Sequence, residues 1–277
     1  MPPAGSVVGL LRCADAAMYA AKARRGGIRW FVPDDESGDR DAEAAPSADV
    51  GNRDHVVLFR PLVDGSGQVI AEAMIHTDTV ATPEPADLTA LPSILRAAAG
   101  WWPDVAVPVR VLVESVHAAE PGLADRISAA LLGEGLPADA LFLRLGTDAL
   151  TGTADEALAL LAGLRSTGAR IAVDVGGPGA LALFRLQELP ADELHLDPAL
   201  AAAVAVDSRA ALVVEHTAEL ARALGSAVVA EGADDSVCAD LIRLGCVVRR
   251  APVAALPPAE FTAWLRTAAL PPSPVGG

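Results

Sequence analysis

An α/β barrel is the fold that this sequence predicts for residues 55–268. Short apolar runs alternate with amphipathic helical runs, which is typical of strand–helix units built around a parallel sheet. The first two apolar runs are separated only by a turn at residues 64–67, so they should form an antiparallel hairpin. The fold class is therefore α/β, a TIM-like (β/α)8 barrel with one antiparallel strand.

The clearest strand–helix–strand unit covers residues 171–197. An apolar strand at residues 171–173 is followed by Asp174, a glycine-rich loop and a helical run at residues 180–189. Pro190 stops that helix, and a second strand at residues 193–196 is followed by Asp197. Such a unit predicts parallel strands with a right-handed crossover. Both acids then lie at the carboxyl ends of strands, where barrels place their chemistry. Each acid also has a simpler interpretation, which is to cap the turn or helix that follows it.

The same periodicities predict the remaining elements of the barrel. Further strands are expected at residues 56–62, 69–75, 110–116, 140–145, 227–230 and 247–250, and helices at residues 121–133, 154–167, 208–224, 235–244 and 258–266.

Three segments lie outside the predicted barrel. Residues 1–32 contain an amphipathic helix (8–24) and a short strand (28–32). Residues 33–54 are acidic and lack an apolar period, which predicts a flexible linker. Residues 269–277 are expected to be a disordered tail.

Charge and cysteine content exclude several classes of function. The net charge of −15 disfavours a DNA-binding, RNA-binding or membrane surface, because each of these needs clustered lysine and arginine. Cys13, Cys238 and Cys246 are widely spaced, which predicts reduced thiols in the cytoplasm and no zinc site. The sequence has no apolar run of about 18 residues and no signal-peptide pattern, so neither a membrane span nor export is expected.

Several short motifs occur in a fixed order along the predicted barrel. They are FRPLVD at 59–64, AEAM at 71–74, IAVDVGGPGALAL at 171–183, LPADELHLD at 189–197, AVVAEG at 227–232 and LGC at 244–246. Their order and spacing resemble those of the EAL family, bacterial phosphodiesterases of cyclic di-GMP. Residues 10–30 resemble the last helix and strand of a GGDEF domain. The signature loop of that domain is missing, so no cyclase activity is expected, and a gene start further upstream is a further interpretation.

The resemblance implies a site where two divalent cations activate water and clamp a phosphodiester. Glu72, Asp174, Asp197 and Glu231 match acids of the family, and Glu114 falls near its asparagine ligand. Glu72, Glu114, Asp174 and Asp197 are the residues expected at metal-ligand positions, whereas Glu231 is expected at a catalytic position.

Three departures predict that this site is degenerate. Arg144 stands where the family has a glutamate ligand, Val175 replaces the acid that bridges the ions, and His195 replaces the catalytic lysine. A cation at a ligand position removes an oxygen and repels the metal. Arg144 is instead expected to form a salt bridge with Glu72 or Asp174. No cofactor is expected, with Mg²⁺ or Mn²⁺ required only if the protein is active.

Cyclic di-GMP remains a candidate ligand. His76 stands where the family has a phosphate-binding arginine, and Arg60, Arg144 and Arg250 (or its neighbour Arg249) are candidate cations for an anionic ligand. Ion pairing or solvation is the alternative role of these arginines. The resemblance thus predicts a regulatory, receptor or interaction module of cyclic di-GMP signalling, with a protein partner or a homodimer as further possibilities. The alternative is an active phosphodiesterase that releases linear pGpG.

Overall fold

The computed structural model of the protein describes residues 56–77, 82–118, 120–146, 149–150, 154–175 and 191–268. The predictions for the GGDEF-like segment (1–32), the linker (33–54), the glycine-rich loop and helix after Val175, and the tail (269–277) lie outside the described residues.

One sheet contains all the strands of the described residues. They are β1 (Val56–Asp64), β2 (Val69–His76), β3 (Glu84–Pro85), β4 (Val109–Val113), β5 (Leu141–Leu145), β6 (Arg170–Val175), β7 (Glu193–Leu196), β8 (Ala227–Glu231) and β9 (Val247–Arg250).

The sheet closes into a barrel of eight strands, as the sequence predicts. Its order is β1-β9-β8-β7-β6-β5-β4-β2, and β1 also pairs with β2 to complete the circle. β1 runs antiparallel to both of its neighbours, whereas β2 and β4 to β9 are mutually parallel. The two-residue strand β3 was not predicted, and it pairs antiparallel with the last part of β2, at Met74 and Ile75.

Helices follow most of the strands. In the described residues they are α1 (Leu91–Ala99), α2 (Trp102–Val105), α3 (Ser115–Ala118), α4 (Leu123–Gly133), α5 (Ala154–Ser166), α6 (Pro198–Ala203), α7 (Ser208–Ala223), α8 (Asp235–Arg243) and α9 (Pro258–Thr267). None of these helices is both long enough and apolar enough to cross a membrane.

The strand predicted at residues 110–116 is shorter than expected. β4 ends at Val113, and the one-turn helix α3 begins at Ser115. The carbonyl of Glu114 accepts hydrogen bonds from the backbone N–H groups of His117 and Ala118, which turns the chain away from the sheet. Glu114 therefore lies on the surface just beyond the strand.

Side chains alternate between the two faces of each strand, and this alternation produces two separate layers of apolar side chains. Residues such as Val111, Leu143 and Val173 belong to the large core between the sheet and its helices. Ile70, Phe142 and Ala172 form a separate small apolar cluster. Each residue of this cluster lies two positions before a charged residue on the same strand face. A layer of charged side chains, which we call the charged layer, therefore lies nearer the carboxyl ends of the strands than this apolar cluster.

An aromatic group packs β1 against α9. The Trp101 ring is fully buried and lies edge-on to Phe59, with 4.9 Å between ring centroids, and 5.1 Å from the centroid of Phe261. Its Nε1 donates to the carbonyl of Val107 at 2.9 Å. Trp101 is thus a residue of the hydrophobic core.

Candidate functional site

The charged layer occupies the carboxyl half of the barrel. Glu72, Arg144 and Asp174 follow the apolar layer on β2, β5 and β6. Strand register places Arg110 opposite Glu72 and His195 opposite Asp174. Glu231 ends β8 and completes the layer. Neighbouring parallel strands thus bring together residues that are far apart in the sequence.

Arg110 is the centre of this layer. Its side chain is 1% exposed, and its Nη2 donates to Glu72 Oε1 at 2.6 Å and to Glu231 Oε2 at 3.0 Å, while its Nη1 donates to Glu231 Oε1. Burial alone would lower the pKa of this guanidinium, but the two carboxylates outweigh it and raise the pKa above the usual range. Arg110 is therefore a permanent buried cation.

Arg144 forms the ion pair that its sequence position predicts. Its Nε donates to Asp174 Oδ1 at 2.8 Å, and its Nη1 lies 3.3 Å from Glu231 Oε2 and 3.9 Å from Glu72 Oε1. A single guanidinium thus contacts three of the acids that the family resemblance implies for metal or catalysis.

Arg60 closes the layer from β1. Its Nε donates to Glu72 Oε2 at 2.8 Å, and its Nη2 contacts the same oxygen. Since Arg110 takes the other oxygen of Glu72, both carboxylate oxygens are bound to arginine. The Arg60 side chain is 37% exposed, so it faces solvent as well.

The retained glutamate at the end of β8 is held in its ionised form. Burial alone would raise the pKa of Glu231, but the charges of Arg110 and Arg144 and the Arg110 hydrogen bonds outweigh it and lower the pKa to about 2. A carboxylate that binds its protons so weakly is a poor proton acceptor at neutral pH.

The charged layer also includes a buried pair on its inner side, where Arg249 on β9 binds Glu193 at the start of β7. Arg249 Nη1 donates to Glu193 Oε2 at 2.6 Å, and its Nη2 contacts the other oxygen. Burial opposes ionisation of Glu193, but the bonds from Arg249 and His195 prevail and lower its pKa to about 2.

His195 is neutral at physiological pH. Burial lowers the pKa of its imidazole, and this outweighs the opposing influence of Glu193 and Glu231. Nε2 lies 3.0 Å from the Glu193 carboxylate, so we assign the proton to Nε2, which donates it. Nδ1 is buried, lies 3.7 Å from Glu231 Oε1, and has no hydrogen-bond partner among the described residues. The ring cannot supply the positive charge that a lysine would carry there.

The other predicted site residues are placed differently. Asp197 caps α6, where its Oδ1 accepts from the N–H groups of Ala199 and Leu200 at 2.7 and 3.2 Å. His76 ends β2 and is half-buried. Arg250 is exposed and pairs with Asp235 on α8 at 2.5 Å. Glu114 is exposed beyond β4.

A small cavity opens between Arg144, Asp174, His195 and Asp197. The described residues enclose about 130 Å³ there, less than the roughly 300–1,000 Å³ of a typical small-molecule site.

Two residues of the charged layer were missed by sequence reasoning. Arg110 was predicted only as part of a strand, and Glu193 only as the start of one. Strand alternation could have indicated the strand face of both residues but not their partners, because Arg110 lies on the same face as Arg144, and Glu193 lies two residues before His195.

The arginine-bound acids Glu72, Asp174 and Glu231 do not fit a pair of divalent cations. Such ions need free oxygen ligands, whereas the oxygens of Glu72 and Glu231 contact arginines, and Asp174 is bound by Arg144. The four guanidinium groups of Arg60, Arg110, Arg144 and Arg249 are balanced by the carboxylates of Glu72, Asp174, Glu193 and Glu231. Charge balance is reached without metal.

Comparison with known proteins decides the family. The model of the EAL domain matches residues 58–248, which is most of the chain. The chain belongs to the EAL family. The eight-stranded barrel and the order of its acids agree with this assignment.

Two relatives from Pseudomonas aeruginosa are similar over about half of this EAL chain. The bifunctional diguanylate cyclase/cyclic di-GMP phosphodiesterase MucR is 33% identical over 139 residues, which cover 50% of this chain and 20% of MucR. The cyclic di-GMP phosphodiesterase RocR is 31% identical over 153 residues, covering 54% of this chain and 39% of RocR. The match therefore spans only a fifth to two fifths of these relatives.

Solved EAL structures share the fold. The MucR phosphodiesterase in complex with c-di-GMP superposes with a TM-score of 0.64 at 25% identity, covering 76% of this chain and 94% of that structure. The EAL domain of Mycobacterium smegmatis DcpA gives a TM-score of 0.65 at 22% identity, covering 78% of this chain and all of that structure.

Proposed function

We propose that this EAL domain is non-hydrolytic and acts as a regulatory, receptor or interaction module in bacterial cyclic di-GMP signalling. One observation carries the proposal. Arg110 and Arg144 bind the carboxylates of Glu72, Asp174 and Glu231, which are the groups that a metal-dependent phosphodiesterase of this family would need free.

Charge makes the exchange of arginine for metal unfavourable. Two divalent cations would bring four positive charges into a layer whose arginines and carboxylates already balance. Arg110 cannot become neutral to make room for a metal, because its carboxylate partners raise the pKa of its guanidinium above the usual range. Metal binding would therefore require Arg144 to swing out and Arg110 to remain buried without its partners.

Proton transfer is impaired as well. Neutral His195 replaces a lysine, and its Nε2 proton is held by Glu193. With the bridging acid replaced by Val175, the residues that would orient and activate water are incomplete. These points support a role in binding or interaction rather than hydrolysis.

As a receptor, the protein would bind its ligand without a metal. Arg60 and Arg144 are part-exposed at the layer, so their guanidinium groups are available to a phosphate at the expense of their carboxylate contacts. The names of MucR and RocR, and the c-di-GMP bound in the MucR structure, make cyclic di-GMP the first ligand to test.

The alternative function is a metal-dependent phosphodiesterase that converts cyclic di-GMP to linear pGpG. It is favoured by the names of the two relatives, which both include cyclic di-GMP phosphodiesterase, and by the retained Glu72, Asp174 and Glu231.

One experiment separates these functions. The purified chain is incubated with cyclic di-GMP and Mn²⁺ or Mg²⁺, and linear product is measured by chromatography, with E72Q as the control for a contaminating enzyme. We expect no product above the E72Q background. Product that disappears in E72Q would overturn the non-hydrolytic proposal.

Calorimetry with cyclic di-GMP in EDTA then distinguishes the two non-hydrolytic roles. Binding that weakens in R60M identifies a receptor, whereas the absence of binding identifies an interaction module.

A further inference from the structure

A second group of acids lies at the rim of the barrel, outside the charged layer. Asp87 precedes a short 3₁₀ helix at Leu88–Ala90 and forms an isolated bridge with Leu112 on β4. Glu114 and His117 follow that strand. One ligand-type atom from each of Asp87, Glu114 and His117 lies within 4.8 Å of the other two. We call these three residues the rim group.

His117 provides independent evidence that this group has a ligand. Its side chain is 4% exposed, and its Nδ1 is buried without a hydrogen-bond partner among the described residues. A buried polar atom without a partner is uncommon in folded proteins and calls for an explanation such as an ion. The imidazole contributes a ring nitrogen to the rim group.

The two acids are also available to a cation. The hydrogen bonds to Asp87 come from the backbone N–H and the hydroxyl of Thr89 and go to Oδ1. The Glu114 side chain is exposed, and within the described part of the chain it forms no salt bridge. The two carboxylates thus lack the arginine partners that fill the charged layer.

The donor set indicates the class of cation. Mg²⁺ and Ca²⁺ prefer oxygen ligands alone, whereas an imidazole nitrogen with two carboxylates suits Zn²⁺ and similar transition ions. Zinc lies about 2.0–2.2 Å from such atoms, so ligand atoms that are up to 4.8 Å apart must move closer together around an ion. Rotation of exposed Glu114 allows this, and water completes the coordination.

We propose that Asp87, Glu114 and His117 form a binding site for one divalent transition-metal ion of the zinc class at the rim of the barrel. The ion would neutralise the two carboxylates and connect the segment after β3 to the turn after β4. This site shares no residue with the charged layer, and it does not depend on whether the protein hydrolyses cyclic di-GMP.

The test uses the whole chain freed of metal with EDTA and dialysed. Zn²⁺ is titrated by calorimetry, and Co²⁺ by its visible absorption spectrum. E114Q is the decisive variant, because Glu114 is exposed and its loss should not disturb folding. E260Q is the matched control, since Glu260 is an exposed glutamate on α9. H117Q is a second variant, with its folding checked by circular dichroism.

We expect one ion per chain in the wild type and in E260Q, and an affinity at least about tenfold weaker in E114Q. Unchanged affinity in E114Q would overturn the proposal, as would an intense sulfur-to-cobalt charge-transfer band, which would assign the ion to a cysteine. Loss of binding in E72Q with E114Q unaffected would move the ion to the charged layer. That result would also count against the non-hydrolytic function, whereas the other two would leave it intact.

Discussion

The charged layer and the rim group both gather carboxylates near the carboxyl end of the barrel strands, but they differ in the cations that accompany them. In the charged layer, each of Glu72, Asp174, Glu193 and Glu231 is bonded to an arginine. In the rim group, Asp87 and Glu114 lie beside a histidine with an unpartnered nitrogen. Both regions have acids, but only the rim group leaves them free for a metal.

This difference shows that retained acids alone do not identify a metal site. A buried carboxylate requires a positive partner, and a guanidinium can meet that requirement as a metal can. Acids that pair with buried arginines can therefore persist without a metal, because removing them would leave the arginines unpaired.

Removing Arg110 should have the largest effect on stability. R110M leaves Glu72 and Glu231 buried without their main cation, and we expect a loss of about 3–5 kcal/mol in the free energy of unfolding, measured by urea denaturation. R96M is the matched control, because Arg96 is mostly exposed and lies 3.4 Å from Glu134. Its loss should cost at most about 1 kcal/mol.

A triple variant keeps this prediction testable if R110M does not fold. R110M/E72Q/E231Q removes the unpaired charges together with the arginine, so it should recover part of the lost stability. If R110M proved as stable as R96M, the charged layer would not be held together by Arg110.

Acid should weaken the charged layer through Glu193 and Glu231. Their folded pKa of about 2 lies below the ordinary 4.5, so their stabilisation is complete above about pH 5 and is lost as the pH falls towards 2. Each contributes on the order of 3 kcal/mol across that window. Urea denaturation from pH 7 to pH 3 should show this decline, with a shallower slope in E231Q.

Salt provides the control for the acid experiment. Because both carboxylates are largely buried, their contribution should persist in 0.5 M NaCl, whereas surface pairs are screened. An acid slope that is the same in E231Q and wild type would mean that Glu231 takes up its proton at an ordinary pH.

The fold was more predictable than the charged layer. Apolar runs bounded by turn residues predicted β7 (Glu193–Leu196) and β9 (Val247–Arg250) with the bounds that the structure has. The two-residue β3 was missed because so short a strand has no periodicity. The strand at β4 was extended too far because Glu114 and Ser115 lie between apolar residues, and the backbone bonds that form α3 leave no trace in the pattern of apolar residues.

The charged layer could be predicted only where the family resemblance marked a departure. Arg144 stood out because it replaces an acid, and its ion pair with Asp174 was expected. Arg110 lies within an apolar run, and its partners Glu72 and Glu231 are 38 and 121 residues away in sequence. Only the closed barrel brings them together, so no local pattern identifies Arg110 as their counter-ion.

Placing acids at positions 144 and 175, where the family has them, should make the stability of the charged layer depend on a metal ion. R144E/V175D removes one cation and adds two carboxylates, so without metal we expect a loss of about 2–3 kcal/mol. Mn²⁺ at about 100 times its Kd should return about 2.7 kcal/mol. Thermal unfolding with and without Mn²⁺ measures both changes.

The exposed variant R96E is the control for this reversal, because it alters the charge at the surface and should show no response to Mn²⁺. If R144E/V175D also lacked a response to Mn²⁺, these two replacements would not determine whether the charged layer binds metal.

The smallest effect concerns Asp197, which matches a family acid yet caps α6 in the structure. D197A removes the hydrogen bonds to the N–H groups of Ala199 and Leu200 and should cost about 1 kcal/mol, whereas D197N retains a capping oxygen and should cost only a few tenths. Urea denaturation compares the two variants.

Equal losses of stability in D197A and D197N would show that the charge of Asp197 matters rather than its cap, and would place Asp197 with the charged layer. A difference between them explains the retained acid by helix capping alone, because asparagine is as good a cap as aspartate but a poorer partner for an arginine or a metal.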